Sequence, residues 1–457
     1  MRANPHIFRE YDIRGVVGED LTPEVAEGVG RAYATELRRR RGGAEDLTVV
    51  VGHDNRPSSP ELAAGITRGI QAAGVHVVDV GTVPTPVLYY ATKRYGTDGG
   101  IQITGSHNPP EYNGFKMVID GRALWGETIQ RLRTIIEEDA FESGSGRGER
   151  RDILPEYVQD VTSRFRLEKP IKVVVDCGNG TGSLVAVQLL EGIGADVVPL
   201  YCVSDGTFPN HHPDPVVDEN LVDLIARVRE EKADLGVAFD GDADRIGAVD
   251  EKGRIVRGDI LLLLFGLDVL ERRGPGQKLI FDVKCSQAVP EVYTARGGEA
   301  IMWKTGHSLI KEKMRETGAP VAGELSGHIC FSDSFYGFDD ALYAACRLVD
   351  LVARSDRPLS ARVDEFPTYV STPEIRIDVP EDQKFEIVRR AIEEFRRDHE
   401  VIDVDGARIL FDGGWGLLRA SNTQPVLVLR FEARTPERLE AIRRTVEGWL
   451  ERQGVRV

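Results

Sequence analysis

Short apolar runs alternate along this chain with amphipathic stretches, and three segments repeat one order. An apolar run ends in a polar residue; a turn of small residues, an amphipathic helix, a glycine and a second apolar run follow. The first is LTVVVGHDNRPSSPELAAGITRGIQAAGVHVVDVG, the second IKVVVDCGNGTGSLVAVQLLEGIGADVVPL and the third KLIFDVKCSQAVPEVYTARGGEAIMWKTG. Each apolar run is short and rich in β-branched residues, and the segment between them is long enough for a helical crossover. Each is therefore expected to form a βαβ unit with parallel strands. After Pro367 the pattern changes to strands over 374–379, 408–411 and 426–433, with helices around 382–397 and 436–452.

These patterns predict an α/β protein: three tandem, similar α/β domains with mixed, mainly parallel sheets, followed by a smaller C-terminal α+β domain, arranged around a central cleft. The composition shifts put the domains at 1–150, 151–252, 253–366 and 367–457. The segment ESGSGRGERRD, residues 142–152, reads as an exposed connection, and the next junction falls near Lys252 and Gly253. At 457 residues several cores are expected rather than one.

The formal net charge of -16 repels nucleic acid and anionic lipid, so an anionic ligand needs a local basic site. No nucleic-acid or membrane partner is expected. The opening MRANPHIFREYDIRG lacks the apolar core of a secretory signal, which predicts a cytoplasmic protein. The greasy run from Ile260 to Leu270 is too short to span a bilayer and reads as a buried helix. Five cysteines without CxxC spacing, Cys177, Cys202, Cys285, Cys330 and Cys346, argue against a disulfide framework or a zinc site.

Four polar strings stand where chemistry is expected. Thr104-Gly105-Ser106-His107-Asn108-Pro109 follows the apolar run 100–103; Gly105 allows a sharp turn and Pro109 stops the strand, so Ser106 is expected on an exposed loop at a strand end. A serine nucleophile needs activating neighbours, and an ordinary polar turn is the competing reading. Asp240-Gly241-Asp242-Ala243-Asp244-Arg245 follows the run 235–239. In a flat strand alternate carboxylates would lie about 6.6 Å apart, too far to share a small cation, so this loop must curl. Three carboxylates held together call for a divalent cation, and an all-oxygen set favours Mg²⁺ over zinc.

Gly323-Glu324-Leu325-Ser326-Gly327-His328 offers a carboxylate, a hydroxyl and an imidazole, groups that suit sugar hydroxyls. Arg419-Ala420-Ser421-Asn422-Thr423-Gln424-Pro425 reads as a phosphate cradle, with Arg419 able to grip two oxygens. Either string alone could be a plain turn. Arg14, Lys116, Arg245 and Lys284 complete the basic inventory at strand ends, where doubly wound domains bind ligands.

Taken in order, FREYDIRG, TGSHNP, DGDADR, GELSGH and RASNTQP closely resemble the motifs of the α-D-phosphohexomutase superfamily, in particular its phosphomannomutase/phosphoglucomutase branch, over essentially the whole chain. The resemblance implies that Ser106 is phosphorylated in the active enzyme and that Asp240, Asp242 and Asp244 bind Mg²⁺ together with a phosphoserine oxygen. It implies that Glu324 and Ser326 contact sugar hydroxyls and that Arg419, Ser421, Asn422 and Thr423 hold the non-reacting phosphate. Tyr11, Arg14, His107, Lys116, Arg245, Lys284, His307 and His328 would line the cleft, with Lys116 and His328 as proton-transfer groups.

The expected reaction interconverts hexose 6-phosphate and hexose 1-phosphate through phospho-Ser106 and a reorienting hexose 1,6-bisphosphate, in a monomer or homodimer. Leu325 stands where the mannose/glucose branch often has Met and the glucosamine branch usually Gln, which favours mannose and glucose phosphates. The alternatives are a phosphoglucosamine mutase, a metal-dependent sugar phosphatase and a non-catalytic phosphosugar-binding protein.

Overall fold

A computed structural model describes residues 3–422 and 424–456. All three repeats form βαβ units. Thr48–His53 pairs in parallel with His76–Thr82 across the helix Ser59–Ala72, and Lys172–Asp176 with Asp196–Leu200 across Ala186–Gly192. Lys278–Asp282 pairs in the same way with Glu299–Trp303 across Ala288–Ala295.

The chain divides into two compact units, Met1–Gly258 with Ser326–Ala361, and Asp259–Leu325 with Arg362–Val457. The first unit holds two sheets. In one, the strand order is Ile13–Val16, Tyr112–Ile119, Gly99–Ile103, Thr48–His53, His76–Thr82 and Gly148–Arg150. The expected connection over 142–152 is exposed at its far end, but it is not structureless. Gly148–Arg150 is the parallel edge strand beside His76–Thr82, where its charged residues keep the edge soluble. In the other sheet the order is Ile255–Val256, Ile246–Asp250, Leu235–Phe239, Lys172–Asp176 and Asp196–Leu200. Lys252 and Gly253 form the tip of the hairpin between Ile246–Asp250 and Ile255–Val256 in that sheet.

Both sheets are mixed. Gly99–Ile103 is parallel to Thr48–His53 and antiparallel to Tyr112–Ile119; Leu235–Phe239 is parallel to Lys172–Asp176 and antiparallel to Ile246–Asp250. Gly99–Ile103 and Leu235–Phe239 are buried at every position, as strands covered on both faces must be. Each delivers a polar loop at its C-terminal end.

In the second unit, Glu299–Trp303, Lys278–Asp282 and Val321–Gly323 are parallel neighbours. The C-terminal sheet has the order Val370–Ser371, Val426–Ala433, Gly414–Ala420, Ala407–Phe411 and Glu400–Ile402, with Ile375–Asp378 also on Val426–Ala433. Helices Lys384–Phe395 and Pro436–Arg452 cover it, packing Ile387, Ala391, Ile442 and Val446 onto Leu418 and Leu429. The run expected to be a buried helix is Gly258–Arg273, with Leu261 to Leu264 fully buried; each such leucine contributes about 1.5–3 kcal/mol relative to exposure. Among the described residues no helix is long and apolar enough to cross a membrane.

Candidate active site

Ser106 and the acidic triplet are 134 residues apart in sequence and meet in the first unit: Ser106 Oγ donates to Asp240 Oδ2 at 3.1 Å and lies 3.1 Å from His107 Nδ1. The expected exposed loop is in fact buried, with Ser106 only 2% exposed. The reason is the second loop packed on it. A Cβ on Gly241 would lie 2.4 Å from the carbonyl oxygen of Ser106, so only glycine allows this approach. Both loops curl through left-handed residues, Ser106 at φ 50° and Ala243 at φ 58°, a conformation costing a side-chain-bearing residue about 1–2 kcal/mol.

That curl gathers the carboxylates. Asp240, Asp242 and Asp244 are fully buried, and each can offer one oxygen within 4.8 Å of the others. Asp240 Oδ1 accepts from the backbone N–H groups of Asp244 and Arg245, both at 3.1 Å, which closes the turn. Asp242 Oδ2 accepts from Thr85 Oγ1 at 2.5 Å and from Lys116 Nζ at 2.7 Å; Lys116 also reaches Asp244 Oδ2 at 2.5 Å. Asp242 Oδ1 is buried with no hydrogen-bond partner among the described residues. A buried, unsatisfied carboxylate oxygen in an all-oxygen cluster is what a hard divalent cation would satisfy.

The charges are strongly coupled. Burial, then Asp242 and Asp244, push the Asp240 carboxyl well above its ordinary range. Burial alone would lower the Lys116 ammonium, but Asp242, Asp244 and Asp240 outweigh it and raise it. Burial first, then Arg245, Arg14, Lys116 and His328, hold His107 well below its ordinary value, so its imidazole is neutral near pH 7.

Other expected site residues join this constellation. Arg14 donates to Asn108 Oδ1 at 2.9 Å and to Asp12 Oδ2 at 2.5 Å, beside the Ser106 loop. His328 Nε2 lies 3.3 Å from both Arg245 Nε and Asp244 Oδ1, while its Nδ1 lies 3.0 Å from Ser326 Oγ. Tyr11 precedes the strand Ile13–Val16 and is half-buried.

A second constellation lies within the other unit. Glu324 accepts from the backbone of Gly306, at the start of the helix His307–Thr317, at 2.5 Å. Asp282 Oδ1 accepts from the backbone of Leu325, while its Oδ2 accepts from Thr305 Oγ1. Asp405 Oδ2 accepts both from the backbone of Thr305 at 3.0 Å and from Arg419 Nε at 2.7 Å, linking the neighbourhood of Glu324 to the string at Arg419. Lys284 Nζ pairs with Glu374 at 2.7 Å. Arg419 was expected in a loop; it belongs instead to the strand Gly414–Ala420, which holds its stem, and the loop begins at Ser421. Ser421 is buried and its Oγ accepts from the backbone of Gln424, and Asn422 follows it half-buried. Thr423 lies outside the described residues.

Sequence reading missed Thr85, Asp54, Arg56 and Asp405. Thr85 opens the helix Thr85–Tyr95 and holds Asp242 through both its backbone N–H and its hydroxyl. None carries a distinctive string of its own. The nearest signal was the polar turn Asp54-Asn55-Arg56 at the end of a buried strand.

A buried serine hydroxyl beside a carboxylate cluster and an ammonium is equipped to accept and release a phosphoryl group. Four family models match in chain order: phosphoglucomutase/phosphomannomutase alpha/beta/alpha domain I over residues 5–143, domain II over 155–253, domain III over 257–369 and the C-terminal domain over 374–448. The phosphomannomutase/phosphoglucomutase of Pseudomonas aeruginosa is 51% identical over 442 residues, covering 96% of this chain and 94% of that protein. The phosphoglucomutase of Neisseria gonorrhoeae is 46% identical over 450 residues, 97% of this chain and 96% of that one. The crystal structure of a phosphoglucomutase/phosphomannomutase family protein from Burkholderia thailandensis has a TM-score of 0.92 and 44% identity, covering 100% of this chain and 99% of that one. With its matching domains in order and both loops of the buried serine–carboxylate site inside them, this chain belongs to the phosphoglucomutase/phosphomannomutase family.

Proposed function

We propose that this hexose-phosphate mutase works through phospho-Ser106, interconverting the 6- and 1-phosphates of mannose and glucose. The observation that carries the reading is the 3.1 Å approach of Ser106 Oγ to a buried triplet of aspartates. We assign the four domains to residues 1–150, 151–252, 253–366 and 367–457, bearing the phosphoserine, metal, sugar and phosphate loops in that order.

Asp240, Asp242 and Asp244, with an oxygen of phosphorylated Ser106, would hold Mg²⁺. The ion would neutralise negative charge on the transferring phosphoryl group. Arg14, His107 and Arg245 supply further positive charge or donors to the same group. Lys116 and His328 stand beside the triplet and move the proton of the accepting sugar hydroxyl; the carboxylates that now hold the Lys116 proton would release it more readily once their charge is shared with a cation. The buried Oγ keeps water from the phosphoserine, which would otherwise hydrolyse.

Glu324 and Ser326 bind sugar hydroxyls, Tyr11, Lys284 and His307 bind substrate, and Arg419, Ser421, Asn422 and Thr423 hold the phosphate that is not reacting. Transfer from phospho-Ser106 gives a hexose 1,6-bisphosphate, which turns over and returns its other phosphate to Ser106. Recognition must survive this reversal, so the phosphate grip is strong and the sugar contacts are adaptable. Leu325, half-buried between Glu324 and Ser326, favours mannose and glucose over glucosamine phosphate. We place the enzyme in the cytoplasm, as a monomer or homodimer.

The test is a coupled assay with mannose 1-phosphate, glucose 1-phosphate and glucosamine 1-phosphate, with Mg²⁺ and a trace of glucose 1,6-bisphosphate, on wild type and Ser106→Ala. Turnover of the first two that collapses in the variant is the expected outcome. Faster turnover of glucosamine phosphate would overturn the sugar assignment, and free phosphate without isomerised sugar would indicate a phosphatase.

A further inference from the structure

The loop that carries Ser106 has an unusual internal support. Arg56, in the turn after the strand Thr48–His53, is 1% exposed, yet its guanidinium has a partner for every one of its nitrogens. Nη2 donates to the carbonyl oxygens of Ser106 at 2.9 Å and Asn108 at 2.6 Å. Nη1 donates to those of Pro109 at 2.6 Å and Tyr112 at 3.1 Å. Nε donates to Asp54 Oδ2 at 3.1 Å, and that same oxygen accepts from the backbone of Gly105 at 3.0 Å. The Phe208 ring closes the remaining side, 5.1 Å from the guanidinium carbon.

Four carbonyls from one seven-residue stretch, 106–112, thus converge on a single planar cation, whose counter-ion holds the residue before Ser106. Carbonyls crowded this way repel one another without a shared donor. The left-handed backbone of Ser106 would also relax if the loop were released. Gly105 fits the same design: a Cβ there would lie 2.4 Å from the guanidinium carbon.

We propose that Arg56 is a positioning residue for phosphoryl transfer, fixing through these four carbonyls where Ser106 Oγ stands relative to the Asp240 carboxylate. Its donors go to backbone carbonyls and to Asp54 rather than to Ser106 Oγ, and its role rests on the reading of Ser106 as the phosphorylated group. Lysine cannot replace it. An ammonium has three donors radiating from a point, whereas the guanidinium spreads five in a plane wide enough to reach both ends of the loop. A displaced nucleophile costs rate rather than ground-state binding, because misplacement by about 1 Å is worth on the order of 100-fold.

The experiment compares wild type with Arg56→Lys by thermal melting, steady-state kinetics on glucose 1-phosphate, and the rate of phosphate incorporation at Ser106 from glucose 1,6-bisphosphate. The expected result is a cooperative melt, KM within about twofold of wild type, and kcat and Ser106 labelling both lower by about 100-fold per folded molecule. A merely structural role would lower the melting temperature and leave both rates intact, and that result would overturn the proposal. Should Arg56→Lys not melt cooperatively, Gly105→Ala decides, because its Cβ displaces the guanidinium from the loop: the same split is expected, and undiminished labelling overturns. Wild-type turnover with no phosphate on Ser106 would reject the role of Ser106, and this one with it; equal labelling of wild type and variant would reject the role of Arg56 alone.

Discussion

At the residue scale, burial governs the chemistry. Ser106 and the three aspartates were legible as chemical groups because glycine and alanine separate them at strand ends, but sequence could not show that the two loops interlock and shut out solvent. Thr85 was invisible for a related reason, since a threonine after a proline reads as an ordinary helix start. Its hydroxyl bond to Asp242 would make it a support for the proposed cation site. Thr85→Val keeps the shape and removes that bond. Supports of this kind are worth about 10- to 100-fold in metal affinity. The half-saturating Mg²⁺ concentration in the mutase assay is therefore expected to rise by about that factor, with kcat at saturating Mg²⁺ nearly restored.

Among the elements, the three βαβ units were readable because short β-branched runs, turn residues and crossover helices agree with one another. The strand Gly414–Ala420 was not. Its glycines at 414 and 416 look like turn residues, yet they sit where Ala433, Ile442 and Phe431 pack against the backbone. Missing that strand left Arg419 in a loop.

Pairing between elements also fixes a pH dependence. Lys284, after the strand Lys278–Asp282, holds the Glu374 carboxyl well below its ordinary value of 4.5, at about 2, against the opposing effect of burial. A depressed acid stabilises the fold above its unfolded pKa and loses that contribution as pH falls through the folded value. The stability advantage of wild type over Glu374→Gln is expected to be full above pH 4.5 and to shrink as pH falls toward 2, measured by urea midpoints at a series of pH values.

At the scale of the whole molecule, four sheets were expected and four kinds of loop were assigned to them. What the pattern could not show is which parts pack as one body. Residues 362–457 group with 259–325, and a buried cation is among the contacts that join them. Arg408 is fully buried, stacks 3.8 Å from the Trp415 ring, and donates to the carbonyl oxygens of Val283 at 2.6 Å and Cys285 at 2.9 Å. Lone arginines in a strand give no sequence signal of such a role. Arg408→Met preserves much of the stem packing but strands two buried carbonyls, so the loss should be on the order of 3 kcal/mol. It should appear as a lower melting temperature, while Ser106 labelling at low temperature is retained.

Phosphoryl transfer through Ser106 is tested most directly by incubating the protein with glucose 1,6-bisphosphate labelled in its phosphates, mapping the label by peptide mass, and then chasing with unlabelled glucose 6-phosphate. One label on the peptide containing Ser106, chased into hexose bisphosphate at a rate no slower than turnover, is the predicted result. Label on another residue, or label on Ser106 that leaves only as free phosphate, would contradict it.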